Sequence, residues 1–166
     1  MAGVLPYANN DEDIYFLISR ESVKIKFRDS GYWSDFGGGK EKNETKLDTA
    51  VRECYEETSG FLGTIDQIKN KIIKQDNPIF TGINSTYKTF LLRIDYDTNL
   101  PLYMNRNYNF INKYLPNVIT ERNGIFEKDR FLWIHSDALE EYLPKFRRFY
   151  RPIIKQIIKY LESNKL

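Results

Sequence analysis

Cysteine is nearly absent from this chain of 166 residues. Cys54 stands alone, which excludes an intramolecular disulfide and a cysteine metal cluster. That usage suits a reducing compartment. Long apolar runs are missing too. None reaches the roughly 18–20 residues needed to span a bilayer. Met1 to Asp13 has neither the basic flank nor the long apolar core of a secretory signal. The expectation is a cytoplasmic protein with no membrane partner. An excess of one charge is also lacking: 25 Lys and Arg face 23 Asp and Glu, for a formal net charge of +2. Overall charge therefore gives no reason to expect DNA binding, and only a local basic patch could serve a nucleic acid. There are no internal repeats and no low-complexity linkers. What remains fits a single globular domain over residues 1–166 with one sizeable core.

The apolar pattern mixes two periods. Ile14-Tyr15-Phe16-Leu17-Ile18 is short and rich in β-formers, which predicts a buried strand. Val23, Ile25 and Phe27 alternate with lysines, as in a half-exposed strand. Gly31 to Gly39 is an aromatic segment closing on three glycines. A helix is predicted from about Lys46 to Thr58. Ile65, Ile68, Ile72 and Ile73 mark a short helical or irregular connection. Tyr87–Tyr96 and Phe131–Ile134 read as strands, Asn105–Leu115 as a helical insertion, and Asp137–Leu143 as the start of a helix. Phe146, Phe149, Tyr150, Ile153, Ile154, Ile157, Ile158 and Leu161 share one helical stripe, with the regular helix expected to begin at Pro152. Strands and helices mixed without strict alternation indicate an α+β fold, an α/β/α sandwich around a mixed sheet.

The chemistry concentrates in Gly37–Gly60, GGGKEKNETKLDTAVRECYEETSG. Thr45 and Asp48 have the spacing of a capping box. Leu47, Ala50, Val51 and Cys54 make a narrow apolar stripe suited to packing on a sheet. Gly60 is placed to close the helix in the left-handed conformation. Glu53, Glu56 and Glu57 fall on one helical surface, where like charges repel and the helix gains nothing from clustering them. A divalent cation would relieve the conflict, since hard cations take oxygen ligands and bridge carboxylates to phosphates. The preceding glycines let backbone approach a metal or phosphate closely, and Glu44 is near enough to join. A lone E-x-x-E-E is ordinarily a solvated face. Its combination with the glycines and with Arg52 is far more specific.

These residues resemble the signature of the Nudix hydrolases, G-x5-E-x7-R-E-U-x-E-E-x-G-U with U apolar. Gly38 opens the match, Glu44 follows, then Arg52, Glu53, Cys54 in the apolar slot, Glu56 and Glu57. The signature's last glycine falls on Ser59, with Gly60 one residue later, which reads as a one-residue extension of the loop. The resemblance implies a Nudix-like α/β/α sandwich and a metal-dependent enzyme. It would hydrolyse the diphosphate linkage of a nucleoside diphosphate joined to another moiety. It implies Mg²⁺ or Mn²⁺ held by Glu53, Glu56 and Glu57 with the Gly38 carbonyl as a further ligand, Arg52 orienting a neighbouring glutamate, and Glu44 holding Arg52 or a water. The general base varies among such enzymes: Glu56, Glu57, or a carboxylate of the loop holding Glu121, Glu127 and Asp129 are the candidates. His135, the one histidine, reads as structural or solvent-exposed.

Outside the motif the sequence says less. Tyr7, Phe27, Tyr87 and Phe126 are candidates to stack on a base, with Tyr87, Phe126 and Glu127 taken as substrate-binding. Arg147, Arg148, Arg151, Lys155 and Lys159 would form a basic face on the last helix, able to follow an RNA backbone. The partner is accordingly a nucleotide-containing small molecule or capped RNA. Two alternatives stand beside pyrophosphohydrolysis of a small molecule: an mRNA-decapping enzyme, and a binding module without catalysis.

Overall fold

A computed structural model describes residues 1–24, 28–119 and 126–163. Ile25 and Phe27 of the expected second strand, and Glu121, lie outside the described residues. The strands are β1 (Ala2–Asn10), β2 (Asp13–Glu21), β3 (Trp33–Ser34), β4 (Phe36–Gly38), β5 (Ile79–Thr81), β6 (Lys88–Arg93) and β7 (Lys128–His135). The helices are α1 (Lys46–Glu57), α2 (Ile65–Gln75), α3 (Leu100–Tyr114), the short α4 (Leu139–Tyr142) and α5 (Arg151–Ser163). The strands form one sheet in the order β3-β2-β1-β6-β5, with β4 also on β1 and β7 also on β2. β1 and β6 run parallel and the other pairs antiparallel, so the sheet is mixed.

Strand alternation sorts the core into two layers. Ala2, Val4, Leu17, Phe36, Phe90 and Leu92 face one way and pack with Ala50, Val51 and Cys54 of α1, Ile68 and Ile72 of α2, and Met104 of α3. Leu5, Tyr7, Phe16, Ile18 and Leu91 face the other way, against Leu139 of α4 and Ile153, Ile154 and Ile157 of α5. The result is the expected α+β sandwich. No helix among the described residues is long and apolar enough to cross a membrane.

Several expected elements change in extent. β1 was not anticipated as a strand. It is buried from Ala2 to Ala8 on both faces, so its sequence shows no alternation, and Pro6 argues against a central strand. Pro6 is tolerated where β1 changes neighbours: β4 pairs up to Val4, and β2 pairs from Tyr7 onward. The isoleucine-marked connection is a full helix, α2, capped by Thr64 and Gln67 in a reciprocal box. The Asn105–Leu115 insertion starts earlier, at Leu100, and buries Pro101, Met104 and Tyr108. It lies beside β7, where the Asn105 amide donates to the Phe131 carbonyl at 2.9 Å and accepts from the Phe131 N–H at 2.9 Å. A side chain thus completes the hydrogen bonding of a strand edge. The last helix begins at Arg151, one residue before the expected start.

Candidate active site

The glycine run is shaped by close approach. Gly37 and Gly38 end β4, opposite Gly3 and Ala2 of β1. A Cβ on Gly37 would lie 2.4 Å from the Gly3 Cα and 2.2 Å from the Tyr87 hydroxyl. One on Gly38 would lie 2.5 Å from a Glu53 carboxylate oxygen. Only glycine lets this strand end and the acidic face of α1 meet. α1 itself is set as its sequence requires. Thr45 caps it, with the Asp48 carboxylate returning the bond to the Thr45 N–H at 3.0 Å. Ala50, Val51 and Cys54 are wholly buried on the sheet. Burial of a side chain the size of Val51 contributes about 1.5–3 kcal/mol. At the other end Ser59 takes φ 52° and Gly60 φ 74°. The expected left-handed closure is therefore spread over two residues, and a serine occupies the first.

Arg52 gathers the acidic face. Its guanidinium donates to Glu44 at 2.7 Å, to Glu53 at 2.9 Å, to Glu56 at 3.0 Å and to the Gly39 carbonyl at 2.8 Å. The Arg52 hydrogen bond holds the Glu44 carboxyl down at about 2. Burial pushes Glu53 upward, with Arg52 opposing. Arg52 thus holds Glu44, as the motif implies, and holds Glu53 and Glu56 as well.

Glu57 turns inward. It is 3% exposed, accepts from the Gly37 N–H at 2.8 Å and pairs with Lys128 Nζ at 3.2 Å. Lys128 is fully buried and also pairs with Glu21, which Arg147 reaches at 2.9 Å. Arg147 in turn holds Asp29 at 3.0 Å. Burial drives the Glu57 pKa well up against the opposing Lys128 charge. For Lys128, burial works against its charge, but Glu21 and Glu57 outweigh it and its pKa rises. Beneath this chain Asp35, wholly buried, accepts from Tyr87 at 2.7 Å and Thr89 at 2.9 Å. Burial lifts its carboxyl to about 6.

A cleft of about 210 Å³ opens over these groups. Gly37–Gly39, Glu57, Glu127, Arg147 and Phe149 are among the residues that line it. Of the expected carboxylates Glu127 and Asp129, which are among the described residues, Glu127 lines the cleft. Burial raises its pKa, and Glu21 and Glu56 add to the rise. Asp129 is tied instead to Arg20 at 2.7 Å and the Val23 N–H at 2.9 Å. His135 is not among the residues that line the cleft, and it accepts from the Asp137 N–H at 3.1 Å.

The candidate stacking residues need correction. Tyr87 reaches the floor of the cleft but is 2% exposed. Its ring is packed among Phe149 and Tyr150 and its hydroxyl is committed to Asp35, so no face is open to a base. Phe126 lines a neighbouring small space with Thr58, Met104, Tyr108 and Lys128, which shares Glu57 with the cleft. Tyr7 is core. The basic face of the last helix is also broken up: Arg147 is ion-paired, and Arg151 donates to the Phe146 and Pro144 carbonyls. Arg148, Lys155 and Lys159 remain exposed.

The model of the NUDIX domain matches residues 1–100, which includes β1, the glycine run and all of α1. The chain belongs to the Nudix family. A curated relative from Acanthamoeba polyphaga mimivirus, an uncharacterized protein, is 38% identical over 68 residues. That match takes in 40% of this chain and only 22% of the mimivirus protein. Among solved structures, a C. elegans Ap4A hydrolase superposes with TM-score 0.56 at 15% identity, over 98% of each chain. The Nudix hydrolase RenU of M. smegmatis gives 0.54 at 13% identity, over 99% of this chain and 87% of its own. At such identities the likeness is one of fold.

Within the Nudix box, then, the structure shows how the acidic residues are held. Among the described residues, no group of three or more Asp, Glu, His or Cys side chains is arranged to enclose an ion by itself. Arg52 and Lys128 stand among the glutamates as counter-charges. The donor set still suits a hard cation: carboxylates only, beside a backbone forced close by Gly38. Glu56, paired with Arg52, is 29% exposed at its side chain, against 13% for Glu53 and 2% for Glu57. Sequence reasoning missed Glu21, Lys128, Asp35 and Phe149. Asp35 gave one signal, a lone acid inside the aromatic Trp33–Phe36 segment.

Proposed function

We propose that this Nudix protein hydrolyses the diphosphate linkage of a nucleoside diphosphate joined to another group, with Mg²⁺ or Mn²⁺. The observation that carries the reading is that the glycine turn, Glu57 and Glu127 line one cleft, with Glu53, held by Arg52, against Gly38. Glu53, Glu56 and Glu57 would hold the cation together with the Gly38 carbonyl. When bound, the cation supplies charge neutralisation for the phosphates and a lowered pKa for water. Arg52 fixes where Glu53 and Glu56 point. Glu127, which lines the cleft and whose pKa burial raises, would take a proton from water entering it. The residues 1–166 act in this reading as a single domain.

The test is hydrolysis by the full chain of nucleotide sugars, dinucleoside polyphosphates, capped RNA and diphosphoinositol phosphates, with each metal. Glu56→Gln, Glu57→Gln and Glu127→Gln run alongside. Metal-dependent turnover that collapses in the box variants supports the reading. Dinucleoside polyphosphates belong in the panel because the C. elegans neighbour is an Ap4A hydrolase. Turnover untouched by all three substitutions, or nucleotide binding with no turnover of any substrate, would move the protein to a binding role.

A further inference from the structure

The outer face of α3 is aromatic and basic. Its inner face is committed to the core, with Pro101, Met104 and Tyr108 buried. Tyr103, Phe110 and Tyr114 are 48%, 55% and 60% exposed. Their spacing of seven and then four residues puts them on one stripe of the helix. The Phe110 and Tyr114 ring centroids are 5.0 Å apart, and Lys113 Nζ lies 5.0 Å from the Tyr114 ring. A row of exposed rings is an interaction surface, best matched by a partner with flat groups of its own. Asn107, on the same side of the helix, lines the small space that shares Glu57 with the cleft, so this face adjoins the cleft.

Charge narrows the choice of partner. Residues 98–119 contain Arg106 and Lys113 and no Asp or Glu. Arg106 stands three residues after Tyr103 and four before Phe110, so it borders the stripe. Beside the helix lies a hollow of about 340 Å³ lined by Arg20, Lys24 and Arg130 with Asn105, Asn109 and Asp129. Lys24 donates to the Asn112 side chain, which joins the hollow to α3. Asp129 is committed to Arg20 and to the Val23 N–H. Lys24, Arg106, Lys113 and Arg130 are exposed and have no carboxylate partner among the described residues. A second copy docked through its own α3 would set these cations against their equivalents, with no carboxylate on either helix to answer them. A lipid surface would have to strip water from the amides of Asn107 and Asn109. A single nucleic-acid strand brings phosphates and flat bases together. Amides both donate and accept, as a 2′-hydroxyl does, which favours RNA.

We propose that the outer face of α3 docks single-stranded RNA, its three rings stacking on bases and its cations meeting phosphates. The proposal concerns the body of an RNA chain outside the cleft, so it goes beyond the hydrolase reading and does not depend on it. The test is fluorescence anisotropy with the full chain, without divalent metal, on a labelled unstructured RNA of about 20 nucleotides, longer than one such face covers. Affinity should fall with salt at a log–log slope of about −3, as four phosphate contacts on a single strand require. Phe110→Leu with Tyr114→Leu removes two flat rings and should weaken binding at least about tenfold. Tryptophan at both positions should restore it. Arg106→Gln with Lys113→Gln should flatten the salt slope by about 1, and this pair carries the test if thermal melts show the leucine pair unfolded. Four results would each overturn the assignment: unchanged RNA binding in the folded α3 variants; loss instead in Lys155→Gln with Lys159→Gln of α5; equal affinity for DNA of the same sequence; or capture of phosphatidylserine–phosphatidylcholine vesicles but not RNA. RNA binding that needs the rings, in a protein that hydrolyses nothing, sinks the hydrolase reading and leaves this one standing.

Discussion

Arg52 spends one planar guanidinium on three carboxylates and a carbonyl, a geometry no ammonium group can reproduce. Arg52→Lys is therefore expected to keep the fold and lower kcat/KM by about 10–100-fold, the usual cost of losing a group that orients metal ligands. Steady-state kinetics beside a circular dichroism melt would show it; a lysine variant with unchanged kinetics would mean the fork is dispensable. Ser59 makes a different point. It holds φ 52° in the slot where the family signature has glycine. Ser59→Gly should stabilise the chain by about 1 kcal/mol, since a left-handed non-glycine residue costs roughly that much. For a protein of this size the gain is a rise of about 2–4 °C in Tm. Arg52 was legible in the sequence because its partners lie within one helix and the loop before it. Lys128 was not, because its carboxylates come from β2 and α1, and nothing local marks a lysine as buried.

At the level of elements, α1 was read almost to its ends, because capping box, apolar stripe and terminal glycine all act locally. β1 escaped notice for the opposite reason: a strand buried on both faces has no period to detect. α3 was seen only in part. Its role at the rim of β7 depends on Asn105, whose amide meets both backbone groups of Phe131. Asn105→Ala would leave an N–H and a carbonyl of a half-buried edge without partners. A loss of about 1–3 kcal/mol is expected in urea unfolding. Hydrogen exchange should speed up at Phe131 more than at Ile134, and uniform acceleration along β7 would count against this local account.

Across the molecule, burial of charge sets the response to pH. Asp35 has its pKa raised from 3.8 to about 6 by burial, only partly offset by Tyr87 and Thr89. Its folded form therefore binds a proton more tightly than its unfolded form. The sign follows: Asp35's contribution is fully present below about pH 4 and is lost as pH rises toward 6, on the order of 3 kcal/mol in all. Asp35→Asn should remove that slope. Denaturation of both proteins between pH 4 and 7 gives the comparison, and parallel curves would show that Asp35 does not titrate in this window.

The chain of ion pairs running Asp29–Arg147–Glu21–Lys128–Glu57 closes contacts between residues as far as 126 positions apart. Glu21 is made early by the ribosome and Arg147 late, so neither has its partner while the chain is still growing. At about 5–20 residues per second, Glu21 waits several seconds at least before Lys128 and Arg147 exist. These ion pairs can therefore close only after Arg147 has been made.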